Sequence, residues 1–233
     1  MIDCSIYAIA HKPHEFHPDG LYSVLCVGGY SETGSLSEKY GENISGYNDR
    51  INECTGLYWI WKNTSSEYVG LCHYRRWLHN HRTDGDQTRL DAERIEEILS
   101  DHDIITTYPA VLETSVEWNL VPTLGVDLTE KAFAVFCTEI LDKQPEYFNE
   151  FFNVMTGNRF YPHNLFVTRR EILNRYCEWL FSFLTEAADR IDVSGYEGKQ
   201  KRIAGYFAEI MPAVWLARQE LKVYSLPNQM AYS

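Results

Sequence analysis

In the first half of this 233-residue chain, short apolar runs of strand-forming residues alternate with helical periodicity, and helical periodicity dominates the second half. That alternation predicts an α/β domain with a mostly parallel sheet and helices on both faces. Residues 4–10 (CSIYAIA) and 21–27 (LYSVLCV) read as the first two strands, stopped by Pro13 and by Gly28-Gly29. Residues 30–47 are polar and glycine-rich, a loop of a length that tends to be functional. A helix is expected from Asn48-Asp49, both good N-cap residues, through Lys62. Residues 68–72 form a strand, 91–99 a short charged helix and 102–106 another strand. Further helices are expected at 129–142, 145–155, 168–189 and 199–221, with an extended segment at 159–167 and a polar loop from Tyr224 onward. No internal repeat or linker interrupts residues 1–233, which read as one domain.

Open α/β sheets bind ligands outside the carboxyl ends of their strands, and two polar clusters fall there. His11-Lys12 follows the first run, and His73-Tyr74-Arg75-Arg76 follows YVGLC. Two adjacent guanidinium groups can clamp a diphosphate with paired hydrogen bonds, as a single lysine cannot. The same pair equally fits surface charges that neutralise nearby carboxylates. In GENISGYND (41–49), Asn43 and Ser45 lead into a helix start, whose free N–H groups and dipole suit an anion. An ordinary capped loop has the same composition. In QKRIAGYFAE (200–209), Arg202, Tyr206 and Glu209 lie near one helix face. Glu209 is a candidate general base for an acceptor hydroxyl, and a surface Arg–Glu pair explains the spacing as well. His163-Asn164 interrupts an apolar segment, where it either faces a ligand or satisfies backbone groups. His73 and His163 show no metal-ligand spacing.

Composition narrows the partners. With 21 Lys and Arg against 33 Asp and Glu, the net charge is -12. That disfavours duplex nucleic acid, which needs clustered cations, and adsorption to an anionic membrane surface. The segment MIDCSIYAIAHKPHEF lacks a basic leader and a long apolar core, and no apolar run is long enough to span a bilayer. The six cysteines are scattered without a zinc pattern, as expected of reduced thiols in the cytoplasm. GxSxG, GxxxxGK[ST] and GxGxxG are missing.

The run NDRINECTGLYWIWKNTSSEYVGLCHYRRWL resembles the core of a bacterial capsular and exopolysaccharide biosynthesis family. That family was long catalogued as a domain of unknown function and is now grouped with glycosyltransferases. Its Asp-Asn-Ile-Ser stretch appears as Glu42-Asn43-Ile44-Ser45, and its Tyr-Ile-Gly-Leu-Cys-His-Tyr-Arg-Arg-Tyr string as residues 68–77. Further on, Tyr161-Pro162-His163-Asn164-Leu165-Phe166, residues 176–181 (YCEWLF), and Gln200, Arg202, Gly205 and Glu209 match its later motifs. The likeness runs from about Ile6 to Leu221; Glu42, Leu165 and Ile210 depart from the usual Asp, Met and Arg.

The resemblance implies a GT-A-like nucleotide-diphospho-sugar transferase fold. It also implies hexosyl transfer from a UDP-sugar to a growing capsular, exopolysaccharide or O-antigen glycan, with a lipid-linked acceptor met at the inner face of the cytoplasmic membrane. On that basis His11 and Lys12 line the nucleotide pocket, and Asn43, Ser45 and the following helix start contact the donor. His73, Tyr74, Arg75 and Arg76 face the diphosphate. His163, Asn164 and Arg202 bind acceptor or sugar, and Glu209 is the base. Most GT-A enzymes hold Mn or Mg with Asp-x-Asp at a strand end, whereas this strand ends in Cys72-His73-Tyr74. Either other groups hold a metal, or Arg75 and Arg76 compensate the leaving charge. Two rivals stand beside this reading. One is a non-catalytic nucleotide-sugar- or glycan-binding module of a polysaccharide assembly complex. The other is a phosphotransferase or nucleotidyltransferase, which the missing acidic pair disfavours.

Overall fold

The computed structural model describes residues 2–228, and its first strand shows how the sheet comes to be covered on both faces. Strand β1 (Cys4–Ala10) sends Tyr7 and Ile9 into one apolar cluster and Ile6, Ala8 and Ala10 into another. That is the two-residue period of a strand buried on both sides. After it come β2 (Tyr22–Cys26), β3 (Leu36–Ser37), α1 (Asn48–Ile51), α2 (Cys54–Asn63), β4 (Tyr68–His73), α3 (Ala92–Leu99), β5 (Ile104–Thr107) and β6 (Ala110–Val111). The second half adds α4 (Val116–Leu124), α5 (Val126–Lys143), α6 (Phe148–Thr156), β7 (Arg159–Phe160), β8 (Phe166–Arg169), α7 (Arg170–Phe181), α8 (Leu184–Arg190), α9 (Ile203–Ala208), α10 (Met211–Leu216) and β9 (Val223–Leu226).

Seven strands form the main sheet in the order β3-β2-β1-β4-β8-β5-β9. Every neighbouring pair is parallel except the two made by β8, which runs antiparallel to both β4 and β5. Ile95, Ile98 and Leu99 of α3 cover one face with Ile6 and Val24. Helices α2, α5, α7 and α9 cover the other, around Phe136, whose ring stacks on Phe207 at 4.8 Å. The reversal of β8 matters most for the site. Leu71 of β4 lies opposite Phe166 of β8. The residues just before β8 therefore sit where β4 ends, at the carboxyl edge of the parallel strands.

Several expected boundaries are corrected. The helix read through residues 48–62 is broken at Asn52, which adopts φ 53°, ψ -131°. Its carbonyl is held by side chains instead of by a continuing helix: Asn48 Nδ2 donates to it at 3.0 Å and Thr55 Oγ1 at 3.1 Å. The helix expected to start at residue 168 begins as strand β8, because Phe166–Arg169 pairs with both β4 and β5. It then continues as α7 and α8, separated at Ser182-Phe183. The 199–221 segment divides into a short 3-10 turn, α9 and α10, with Pro212 in the first turn of α10. Helix α5 starts at Val126, earlier than expected. Helix α4, absent from the sequence reading, starts where Ser115 Oγ accepts the N–H of Trp118 at 3.2 Å. The loop expected from Tyr224 is instead β9, added in parallel to β5. The rest of that tail, residues 229–233, lies outside the described residues.

Candidate active site

At the exit of β4 the chain turns tightly: His73 N–H donates to Arg76 O at 2.9 Å, and Arg76 N–H to His73 O at 3.0 Å. This turn swings Arg75 and Arg76 into a cleft of about 470 Å³ at the carboxyl edge of β1, β2 and β4. His11, His73, His163, Arg202 and Glu209 also line it. So do Gly28, Asn48, Asn52, Glu53, Lys199 and Tyr206; of these the sequence points only to Asn48, at the helix start expected to contact the donor, and to Tyr206, on the Glu209 face. Gly28 is required at the floor. Its φ is +63°, and a Cβ there would lie 2.6 Å from Asn48 Oδ1.

Two carboxyl groups, Glu53 and Glu209, line the cleft among these cations. Glu209 caps the C-terminus of α9. Its Oε1 accepts the backbone N–H of His163 at 2.7 Å and lies 3.3 Å from His163 Nδ1. Burial pushes this carboxyl up, but the His163 contacts and the nearby His73 outweigh it and hold Glu209 below the ordinary Glu value. Glu53 sits at the start of α2, where its Oε1 accepts from Asn164 Nδ2 at 2.9 Å. Burial, then the charge of Glu209, pushes Glu53 up to about 7, against the pull of Asn164 and Arg76. One carboxylate is thus kept ionised while its neighbour is pushed to hold a proton. Such a separation of roles marks functional carboxylate pairs. Both keep part of their surface open, Glu209 25% of its side chain. Both line the cleft, where burial decides the direction for Glu53 and the His163 contacts decide it for Glu209.

His73 donates from Nε2 to the His163 carbonyl at 2.9 Å. The carbonyl only accepts, so Nε2 carries the proton and Nδ1 is the acceptor. Burial lowers His73 to about 4, with Glu209 opposing, so the ring is neutral near pH 7. Arg76 is lowered by burial and by Arg75, and both carboxylates oppose that shift. His11, on the rim, is lowered by burial and by the charges of Arg75, Lys12 and Arg202.

The remaining expected residues sit nearby but do not line the cleft. Lys12 is exposed beside His11. Tyr74 is buried behind the turn, with ring contacts to His11 at 5.5 Å and His14 at 5.4 Å. Asn43 and Ser45 bond to each other, Ser45 Oγ to Asn43 Oδ1 at 2.8 Å, and shape their own loop. Asn164 is buried and acts on Glu53. The helix after that loop, α1, contributes Asn48 to the lining.

Residues 5–220 match the model of a family described as a domain of unknown function, DUF4422. The chain belongs to that family. No curated protein matches it. Among solved structures it is similar to one titled the apo structure of the WbbM bifunctional glycosyltransferase, with a TM-score of 0.82 and 25% identity. The match covers 99% of this chain and 46% of that one, so this chain spans under half the length of that glycosyltransferase.

This DUF4422 chain therefore has a glycosyltransferase-like α/β fold of the GT-A type, with the cleft at the edge where such sheets bind ligands. Among the described residues no three His, Cys, Asp or Glu side chains converge to hold a metal, and no helix is long and apolar enough to cross a membrane. The six cysteines are all free thiols. Within the DUF4422 segment Glu53 is the carboxylate that the motif reading left without a role. No local signal sets it apart, because it follows Asn48, Asp49, Arg50 and Asn52 in a polar approach to α2.

Proposed function

We propose that this DUF4422 chain transfers a hexosyl group from a nucleotide-diphospho-sugar, a UDP-sugar, to a growing surface glycan of the capsular, exopolysaccharide or O-antigen type. One observation carries the reading. In a chain of net charge -12, Arg75, Arg76, Lys199 and Arg202 gather in one cleft with the ionised Glu209. Cations there suit a diphosphate whose charge grows as it leaves. A fixed carboxylate suits an acceptor hydroxyl that must lose its proton.

In an inverting transfer the acceptor oxygen bonds to C1 of the donor sugar as the C1–O bond to the diphosphate breaks. The electron pair of that bond leaves on the nucleoside diphosphate, and the acceptor proton passes to Glu209. His11 contacts the nucleotide, with Lys12 at the rim. Asn43 and Ser45 shape the loop that presents Asn48. Tyr74 packs the turn that aims Arg75 and Arg76, and His73 steadies it. His163 and Asn164 hold the two carboxylates, and Arg202 reaches donor or sugar. The arginines take the charge compensation that Mn or Mg supplies in many relatives of this fold. A lipid-linked acceptor at the inner face of the membrane, met through peripheral association, completes the reading.

The test is a thermal-shift panel of nucleotides and UDP-sugars, with and without Mn, followed by a transfer assay. Stabilisation by one UDP-sugar that Arg75→Ala removes is the expected result. A requirement for Mn would replace arginine compensation with metal compensation. If no nucleotide raises the melting temperature, the proposal fails. If a nucleotide sugar binds but is never turned over, the chain is a binding module.

A further inference from the structure

Glu209 faces two cavities. The cationic cleft lies on one side. On the other is a smaller cavity of about 180 Å³, which shares only Tyr206 and Glu209 with the cleft. Its wall is helix α4. Val116, Asn119, Leu120 and Thr123 recur at the spacing that places side chains on one helix face. Val116 and Leu120 are buried and form the floor with Ile210. Asn119 and Thr123 are exposed at the mouth, and among the described residues neither side chain has a hydrogen-bond partner. Phe160, half-buried on β7, closes the opposite side.

We infer that this cavity is the acceptor subsite and that it takes one uncharged monosaccharide ring, the terminal residue of the acceptor glycan. The inference rests on the transferase reading above and adds the place and chemical class of its second substrate. Four observations support it. The cavity is smaller than the ~300 Å³ or more of sites that hold drug-sized ligands, so it admits a single ring. Its lining pairs apolar surface with a few unengaged polar groups, as the two faces of a sugar ring require. It contains no Lys, Arg or His, and its one charge is the Glu209 carboxylate. A uronic acid or phosphosugar would meet repulsion there, whereas a neutral hydroxyl would not. Finally, His163 occupies Oε1 of Glu209, and Oε2 has no partner among the described residues. The base is therefore anchored through one oxygen and keeps the other for a hydroxyl.

The test uses the full chain with saturating UDP and ligand-observed NMR against neutral methyl hexosides and methyl glucuronide. The variants are Thr123→Trp, which fills the mouth from an exposed helix position, and Asn119→Ala, a surface truncation expected to fold normally. The wild type should bind at least one neutral methyl hexoside. Thr123→Trp should weaken it by at least about tenfold, the effect of overfilling a fitted cavity. Asn119→Ala should weaken it by about threefold or more, one neutral hydrogen bond's worth. UDP affinity should stay within about twofold in both, because neither side chain borders the cationic cleft. The inference is overturned if no neutral hexoside binds the wild type, if the glucuronide binds better, or if both variants keep wild-type hexoside affinity. If UDP fails to bind while the hexoside behaves as expected, the donor reading fails and the sugar subsite stands.

Discussion

Oε1 of Glu209 accepts the backbone N–H of His163 at 2.7 Å, across 46 residues of sequence. The two meet because α9 ends at Glu209 and because the turn before β8 is left-handed: His163 has φ 73° and Asn164 φ 51°. Backbone of this kind costs on the order of 1–3 kcal/mol per residue and persists where surrounding contacts fix it. Here Glu209 fixes the first residue, and the Asn164–Glu53 bond fixes the second.

Replacing Glu209 by Gln keeps the acceptor for the His163 N–H and removes the base. Initial rates of sugar transfer should fall by about 100- to 10,000-fold, with UDP affinity, measured by calorimetry, nearly unchanged. Wild-type rates in Glu209→Gln would place the base elsewhere.

The left-handed turn makes a second prediction. His163→Gly and His163→Ala both remove the imidazole, but only glycine adopts φ 73° without strain. Glycine should be the more stable variant by about 1 kcal/mol, a difference of about 2–4 °C in melting temperature for a chain of this size. Equal melting temperatures would mean that the turn relaxes.

Glu53 gives a pH dependence of definite sign. Its carboxyl titrates at about 7 in the folded chain, against an ordinary value of 4.5. Below pH 4.5 both states hold the proton. Between 4.5 and 7 the unfolded chain releases it while the folded chain keeps it, so stability falls as pH rises through that window. By pH 8 the cost of the buried charge is fully present. Glu53→Gln should therefore raise the melting temperature at pH 8 and leave it unchanged near pH 4.5. A pH-independent difference between the two proteins would contradict the assignment.

Arg76→Ala should weaken UDP binding by about tenfold or more, the loss of a charge-assisted hydrogen bond. Lys12→Ala should change it little, because Lys12 lies outside the cleft. Titration calorimetry at fixed ionic strength checks the ranking, and a larger effect at Lys12 would reverse the placement of the donor.

Phe136 is fully buried between Phe207 and Phe183, the second at 6.4 Å. Phe136→Ala should cost about 3–5 kcal/mol in urea unfolding. A cost below about 1 kcal/mol would mean that the helical face repacks freely, contrary to the density of native cores.

Local sequence is enough for the strands β1, β2, β4 and β5 and for the basic turn leaving β4, because apolar runs, their breakers and the residues that follow are neighbours along the chain. It also brought Arg75, Arg76, His163, Arg202 and Glu209 into view as polar groups in apolar or helical surroundings. It did not reveal Glu53, which is one acidic residue at a helix start until Asn164 is laid against it. Nor did it reveal α4, whose Pro122 disguises the pattern, or β9, which needs β5 beside it to be a strand. The Asn164–Glu53 contact depends on the direction of β8 and on the left-handed turn before it. Pairing direction is decided by which edges and faces remain to be covered once the rest of the chain has packed. Local periodicity carries no record of that choice, so the meeting of His163, Glu53 and Glu209 belongs to the tertiary structure alone.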